Sequence, residues 1–207
     1  LSPHIYMDVD SLYKGLDQNI HQADGFTNYT VFSLWDTYRA LHPLFNIIQP
    51  SRNNDMVKSM LAHHNQSVHN MLPVWSHYAN ENWCMVGYHS VTVIADAVVK
   101  GTTDVDINKV LKASENTATL AYFDGIGEYM KLGYVPEDKS SSSVSKTLEY
   151  AFDDWCIAQI AQKAENDIVF ADCLAGRYTP KICGGSIEID QGAVGAVYLG
   201  GNRQIVE

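Results

Sequence analysis

Residues 144–163 constrain the fold more than any other segment, because their apolar side chains are spread around most of a helical circumference. A helix of this kind is buried on more than one side, so other elements must pack around it. The same helix carries Glu149, Asp153 and Asp154, and acids on so apolar a helix need partners. We expect arginines or backbone amides of neighbouring helices as those partners, and a structural rather than a catalytic role for the three acids.

Four other segments repeat apolar residues at steps of three and four, which predicts helices. These segments are residues 34–48, 53–64, 85–100 and 106–120. Ser33 is available to cap the first helix, and Pro50 lies just beyond its end. His63 and His64, at the end of the second helix, are expected at the surface. The helical pattern with little strand alternation predicts a mainly α fold built from α-hairpins.

The two ends of the chain lack this helical pattern. Residues 1–30 are predicted to be extended or loop, and their four aspartates lack the spacing of a calcium loop, so we assign them to the solvated surface. The tail from Gly184 onward is glycine-rich and alternating, which predicts one or two short strands.

Composition excludes some classes of partner. The 207 residues are 46% hydrophobic and 11% aromatic, enough for an ordinary core in one domain or two small ones. The net charge of -10 comes without a basic cluster, which argues against a nucleic-acid partner. Apolar runs fall far short of the ~20 residues of a membrane span, and the first residues do not resemble a signal peptide.

The stretch 72–97 concentrates reactive groups in a non-periodic loop before an apolar helix. Within the 15 positions 75–89, the aromatic faces, one carboxyl and two imidazoles suit the C–H faces and hydroxyls of a sugar. The residues that carry them are Trp75, His77, Tyr78, Asn80, Glu81, Asn82, Trp83, Tyr88 and His89. The helix that follows would anchor this loop, which we interpret as the lip of a pocket.

Glu81 is the most interesting acid of this loop. A carboxyl beside Trp83 and Trp75 would be partly desolvated, and the raised pKa would keep it protonated near neutral pH, as a general acid requires. In the alternative, Glu81 caps or pairs near a helix start and the tryptophans belong to the core. The residues alone leave both open.

Asp36 is the second candidate. It follows Trp35 in the first turn of the 34–48 helix, where the helix dipole stabilises a carboxylate that can accept hydrogen bonds from sugar hydroxyls. A plain capping role is equally compatible with this position.

Three motifs, in order along the chain, resemble those of glycoside hydrolase family 92, the calcium-dependent exo-acting α-mannosidases. They are FSLWDTYRALHPL at 32–44, NENWCMVGYH at 80–89 and LEYAFDDWC at 148–156. The resemblance covers roughly residues 8 to 170, which divides the chain into a partial catalytic domain at 1–173 and an unmatched tail at 174–207.

The resemblance implies a fold, an activity and a site. The fold would be about half of an (α/α)6 toroid, and the activity would be the hydrolysis of terminal α-mannosides in a mannose-containing glycan. The family inverts configuration with an acid and a base, and Glu81 matches the acid. The implied substrate contacts are Trp35, Asp36, Trp75, Asn80, Trp83 and His89. Calcium is the implied cofactor, and a secreted or periplasmic location is the implied compartment.

Several parts of the family pattern have no match in this sequence. The late motif that carries the general base is not recognisable here, nor is the His-Glu motif expected to help hold calcium and mannose, nor an N-terminal β-sandwich. The chain therefore resembles a piece of such an enzyme, with the remaining calcium ligands and the rest of the catalytic domain outside it. Two alternatives stay open: a non-catalytic carbohydrate-binding or decayed remnant, and another helical-toroid glycosidase such as a trehalase or glucosidase relative.

Overall fold

The computed structural model describes residues 3–174 and the strand residues 181–182, 185–189, 197–199 and 204–205. The helices in this part of the chain are α1 Leu34–Thr37, α2 Leu41–Ile48, α3 Pro50–Gln66, α4 Ser90–Lys100, α5 Ile107–Ala118, α6 Ile126–Leu132, α7 Ser143–Lys163 and α8 Asp167–Leu174. The predicted mainly α fold is confirmed.

Helix α7 lies at the centre of the packing and contacts α4, α5 and α8. Its buried residues include Cys156 and Ala151, which lie on different sides of the helix. Helix α3 packs against α2 and α4, so the helices share one apolar core. The prediction that α7 is buried on more than one side is confirmed.

The predicted single helix over 34–48 is wrong. A turn at residues 38–40 separates α1 from α2, with Ala40 outside helical geometry at φ -143°. The face that α2 buries is polar, through His42 and Asn46, whereas Ile48 on the predicted apolar stripe is exposed. The reason is a buried network in which His42 Nδ1 lies 2.9 Å from the side-chain oxygen of Asn53. This network overrides the periodic pattern.

Helix α3 is longer than predicted. Pro50, expected to mark the end of a helix, instead stands in the first turn of α3, where its missing N–H costs nothing. His63 and His64 are buried at 8% exposure each, so their expected place at the surface is wrong. Both lie in the last turn of α3, and the His63 ring faces the carboxylate of Glu81.

Helix α4 begins at Ser90 rather than at Met85. Met85 and Gly87 have φ values of 73° and 82°, in the left-handed region that no right-handed helix can include. The predicted end is confirmed, because Gly101 closes α4 at φ 67°. Asp106 caps α5 by accepting the backbone N–H groups of Asn108 and Lys109.

The strands are short and antiparallel. Before α1, β1 His4–Ile5 pairs with β4 Tyr29–Thr30, and β2 Leu12–Lys14 pairs with β3 Ile20–Gln22, as expected for an extended region. Between α3 and α4, β5 Ser76–His77 and β6 Asn80–Glu81 form a hairpin. The tail contains β7 Lys181–Ile182, β8 Gly185–Ile189, β9 Val197–Leu199 and β10 Gln204–Ile205 in the order β10-β9-β8-β7, against the one or two strands predicted. Across the described residues, none of the helices combines the length and apolar character needed to cross a bilayer.

Candidate functional site

Two of the predicted site residues, Trp35 and His89, meet in one cluster with Glu149 and Asp153, which we call the charge cluster. The indole Nε1–H of Trp35 donates to Glu149 Oε1 at 2.8 Å, and His89 Nε2 lies 3.2 Å from Glu149 Oε2. On its other side, His89 Nδ1 lies 2.8 Å from Asp153 Oδ1. The cluster therefore ties the start of α1 to α4 and α7 through side chains.

The charge cluster is buried, so its charged groups interact strongly. The His89 side chain is 1% exposed, and its ring stacks on Tyr38 with centroids 4.2 Å apart. Burial opposes a charge on His89, but Asp153 and Glu149 outweigh it and raise its pKa to about 9. Burial likewise works against the charge on Glu149, yet the contacts with His89, Trp35 and Arg39 hold its pKa below the usual range. At neutral pH the cluster therefore contains an imidazolium between two carboxylates.

Asp153 is held by more than His89. It is fully buried and accepts the backbone N–H of Tyr88 at 2.8 Å and the hydroxyl of Thr92 at 2.8 Å. Asp154, next along α7, accepts the hydroxyls of Tyr88 and Tyr129 instead. Burial raises the pKa of Asp154 well above its ordinary value, while the two tyrosine hydroxyls act against that rise. Asp153 therefore balances the charge of His89, whereas Asp154 accepts hydrogen bonds within the core.

Asp36 stands beside the charge cluster at the start of α1 and is exposed to solvent. The hydroxyl of Ser33 donates to Asp36 Oδ2 at 2.5 Å, so Ser33 does not cap α1 with its side chain as expected. The neighbouring Arg39 guanidinium lies 5.7 Å from the Trp35 ring centroid. An exposed carboxylate beside a braced indole and a cation can present hydrogen-bonding groups to a hydroxylated ligand.

Glu81 has different surroundings. Its Oε2 accepts the backbone N–H of Val74 at 3.0 Å, while Oε1 accepts those of Trp75 at 2.8 Å and Trp83 at 3.0 Å. The side chain is 3% exposed. Burial raises the pKa of Glu81, as the sequence led us to expect, and these backbone N–H groups act against that rise. In this arrangement, both oxygens organise the loop around the β5–β6 hairpin.

His63 is the nearest imidazole to Glu81, with 3.5 Å between Nε2 and Oε2. Burial lowers the pKa of His63 to about 3, so the ring is neutral and provides no counter-charge.

The remaining predicted contacts lie elsewhere. Asn80 is exposed on the β5–β6 hairpin, and Trp75 joins Ser33 through a β-bridge, which links this hairpin to the start of α1. Trp83 packs its ring against His69 and Phe123 on the wall of an open cleft. The residues predicted for one site are thus distributed over the charge cluster, the hairpin and this cleft.

Sequence reasoning missed that Glu149 and Asp153 meet the site. The expected arginine and backbone-amide partners are present, in Arg39 and in the Tyr88 N–H, but His89 and Trp35 were not anticipated. The signal was the spacing of the two acids, four residues apart on one face of α7.

The calcium implied by the resemblance has no ready-made site in the described residues. No group of three or more His, Cys, Asp or Glu side chains there could hold a metal ion. The acids of the charge cluster are already paired with His89, Trp35 and backbone or hydroxyl donors. These residues do not fit a calcium centre on their own, so we assign no chemical step to the metal.

Comparison with known proteins agrees with the family resemblance of the sequence motifs. The family model for the glycosyl hydrolase family 92 catalytic domain matches residues 1–176. An α-mannosidase of that family from Bacteroides thetaiotaomicron, solved in complex with mannoimidazole, is 52% identical with a TM-score of 0.83, covering 87% of this chain and 24% of its own. An inverting mannosidase of the family from the same organism is 31% identical with a TM-score of 0.77, covering 86% and 25%.

The chain therefore spans about a quarter of the length of these solved relatives. Comparison with curated proteins gives no match.

Proposed function

Because this chain belongs to glycosyl hydrolase family 92, we propose that it is part of the catalytic domain of an enzyme that hydrolyses terminal α-mannosides. The observation that carries the proposal is the similarity over 87% of the chain to a family α-mannosidase solved with mannoimidazole. We further propose that the helices form part of an (α/α)6 toroid, which the helix-rich packing around α7 supports.

The mannose subsite that we propose is centred on Trp35 and Asp36. Asp36 is exposed and can accept hydrogen bonds from sugar hydroxyls, while the Trp35 indole is fixed by its bond to Glu149. His89 serves this subsite indirectly, because it holds Glu149 in place and is itself nearly inaccessible. A rigid aromatic face beside an exposed carboxyl group provides both the apolar and the polar contact that a pyranose needs.

The reaction we propose is inverting. One carboxylic acid protonates the leaving oxygen while a carboxylate across the bond activates water, with ~6.5–9.5 Å between the two. A solved relative is itself described as an inverting mannosidase. Glu81 is the candidate general acid of this chain, and the base and calcium ligands would come from the rest of the domain. The raised pKa of Glu81 supports this assignment.

A second role for Glu81 is favoured by its hydrogen bonds. A general acid needs an oxygen that reaches the substrate, whereas both oxygens of Glu81 accept backbone N–H groups within a nearly closed environment. The loop between Val74 and Trp83 would have to rearrange before the carboxyl could touch a sugar. In this second role Glu81 is a structural carboxylate, and the chain contributes a sugar-binding surface without its own acid.

Replacing Glu81 by Gln in the full-length enzyme separates the two roles. As a general acid, Glu81→Gln should lower kcat on α-mannobiose by about 10²–10⁴-fold, because an alkoxide leaves poorly without a proton. An activated aryl α-mannoside should lose far less, and the alkaline limb of the pH–rate profile should disappear. Glu137→Gln, at an exposed glutamate, is the control. Equal losses on both substrates with the alkaline limb intact would assign Glu81 to structure.

A further inference from the structure

His89 holds Glu149, and through it the Trp35 indole, but no directional bond fixes the Nε2 end of the His89 ring. Within the described residues, His89 Nε2 makes no hydrogen bond of good geometry, and its contact with Glu149 Oε2 at 3.2 Å is an ion pair. An ion pair tolerates a change of angle that would break a hydrogen bond. The position of the ring is therefore set by the other groups that touch it.

Three groups enclose the His89 ring. Asp153 Oδ1 lies 2.8 Å from Nδ1, and the Tyr38 ring stacks on His89 with centroids 4.2 Å apart. The third group is the main chain of Gly87, which is buried, has a φ of 82° and lies against the Nε2 end of the ring. Because Asp153 is itself fully buried, the ring has no open space into which it could retreat.

Gly87 lies so close to His89 that a side chain does not fit between them. A Cβ added at Gly87 would come 2.8 Å from His89 Cδ2 and 2.9 Å from Cε1, and closer still to Nε2. Non-bonded heavy atoms normally stay about 3.5–4.0 Å apart, so the ring or the main chain would have to move. Gly101 has a similar left-handed φ of 67°, but a Cβ there would meet nothing within 4 Å. The close approach to His89 therefore distinguishes Gly87 from a glycine that only ends a helix.

A displacement of His89 would be transmitted to Trp35. One oxygen of Glu149 pairs with His89, and the other accepts the Trp35 indole N–H at 2.8 Å. The remaining contacts of Glu149, with the Tyr38 hydroxyl and the Arg39 guanidinium, are longer at 3.4 Å each. The Arg39 side chain is also 53% exposed, so solvent weakens its hold on the carboxylate. Glu149 therefore depends on His89 for its position.

We propose that Gly87 is a positioning residue of the charge cluster, because its lack of a side chain lets the main chain seat His89 against Glu149 and so fixes the Trp35 indole. The inference rests on the proposed function only where it connects this indole with mannose binding. The seating of His89 is a property of the fold and can be measured without a sugar.

Gly87→Ala and Gly101→Ala in this chain test the seating of His89. Both place alanine in left-handed backbone, but only the first puts a Cβ against the ring. We expect Gly87→Ala to lower the pKa of His89, followed by imidazole NMR, from about 9 towards 6.5, because burial remains while the Glu149 carboxylate moves away. The Trp35 indole N–H signal should shift as well, and Gly101→Ala should change neither. A His89 pKa and a Trp35 signal that match the parent chain in Gly87→Ala overturn the inference.

A double-mutant cycle on stability gives an independent test. Gly101→Ala should lower the melting temperature by about 2–8 °C through backbone strain alone, and Gly87→Ala should lower it at least twice as far. In a His89→Ala background the ring is gone, so Gly87→Ala should cost no more than Gly101→Ala does. An equal loss from Gly87→Ala with and without the His89 ring contradicts the proposal.

Mannose titration of the full-length enzyme separates this inference from the proposed function. We expect Gly87→Ala to weaken mannose binding about tenfold, the effect of misplacing one aromatic face, and Gly101→Ala to leave the affinity unchanged. If the His89 pKa and the Trp35 indole signal move while the mannose affinity stays constant, the role of Gly87 stands and the mannose subsite at Trp35 is overturned. If none of the three changes, the role of Gly87 is overturned and the mannose subsite stands.

Discussion

Glu81 and Glu149 are both removed from bulk solvent, but they are held in opposite ways. Glu81 accepts backbone N–H groups from residues at most seven positions away. Glu149 instead contacts side chains of Trp35, Tyr38 and Arg39, all more than a hundred positions away, and the ring of His89. The first arrangement fixes the shape of one loop. The second fixes the relative positions of three helices and keeps charge beside an accessible indole.

The surroundings of a buried carboxylate decide what it can contribute to a site. A carboxylate enclosed by backbone amides is well placed to order a loop and poorly placed to meet a substrate. A carboxylate in a side-chain network can orient its neighbours, such as Trp35, towards a ligand while remaining ionised. Substitutions that remove the groups holding each acid test this difference.

The largest effect is expected when the charge cluster loses its buried anion. Asp153→Ala leaves the His89 imidazolium, the Tyr88 N–H and the Thr92 hydroxyl without their acceptor, and breaking a buried pair costs about 3–5 kcal/mol. Urea denaturation of this chain measures the loss. Asp138→Asn, at a side chain 73% exposed, should change the free energy of unfolding by about 0.5 kcal/mol or less. A loss from Asp153→Ala as small as that of the control would show that the cluster does not hold the helices together.

A second prediction concerns the pH dependence that His89 confers. Its pKa in the folded chain is about 9, above the unfolded value of 6.5, so its stabilising contribution is complete below pH 6.5 and is lost as pH rises through 9. The difference in free energy of unfolding between the parent chain and His89→Gln should therefore shrink by about 2–3 kcal/mol between pH 6.5 and pH 9.5. Using this difference removes the contributions of other titrating groups. A difference that stays constant over this range would mean that His89 is neutral in the fold.

Glu81→Gln is expected to change the free energy of unfolding by a smaller amount, and this change distinguishes the structural role of Glu81 from the general-acid role. If the carboxylate organises the loop, the amide has one acceptor oxygen in place of two and leaves at least one backbone N–H facing an NH₂ group, at a cost of about 1–3 kcal/mol. Thermal or urea unfolding of Glu81→Gln against Glu137→Gln measures it. Equal stability of the two variants would instead favour a protonated Glu81, which Gln replaces closely in shape.

A feature of the fold could be predicted from the sequence where the residues that determine it lie close together along the chain. Helix α7 and the end of α4 at Gly101 follow from patterns within a few residues, and the sequence predicts them well. The break at residues 38–40 and the burial of His63 depend on contacts between distant residues, which no periodicity contains. The buried face of α2 is polar, so the spacing of apolar residues cannot predict it.

The same limit applies to the site. Trp35, at a helix start, and His89, in the 72–97 loop, were predicted as site residues with the help of the resemblance, but their common partner Glu149 lies 114 positions from Trp35. The sequence predicts that acids on α7 need partners, and it cannot say which groups they meet. The separation of Trp83 from the charge cluster likewise follows from the packing of loops whose left-handed residues have no sequence signature.

We propose that the start of α1 presents a sugar-binding surface, on which Asp36 is an exposed charged group. In the full-length enzyme, calorimetric titration of Asp36→Asn with mannose, alongside its melting temperature, tests this claim most directly. We expect a loss of affinity of about tenfold or more, since hydrogen bonds to a charged group contribute about 1.5–3 kcal/mol, with little change in melting temperature. Asp138→Asn should change neither. An unchanged affinity with a melting temperature lowered by tens of degrees would show that Asp36 stabilises α1 and that the sugar-binding surface lies elsewhere.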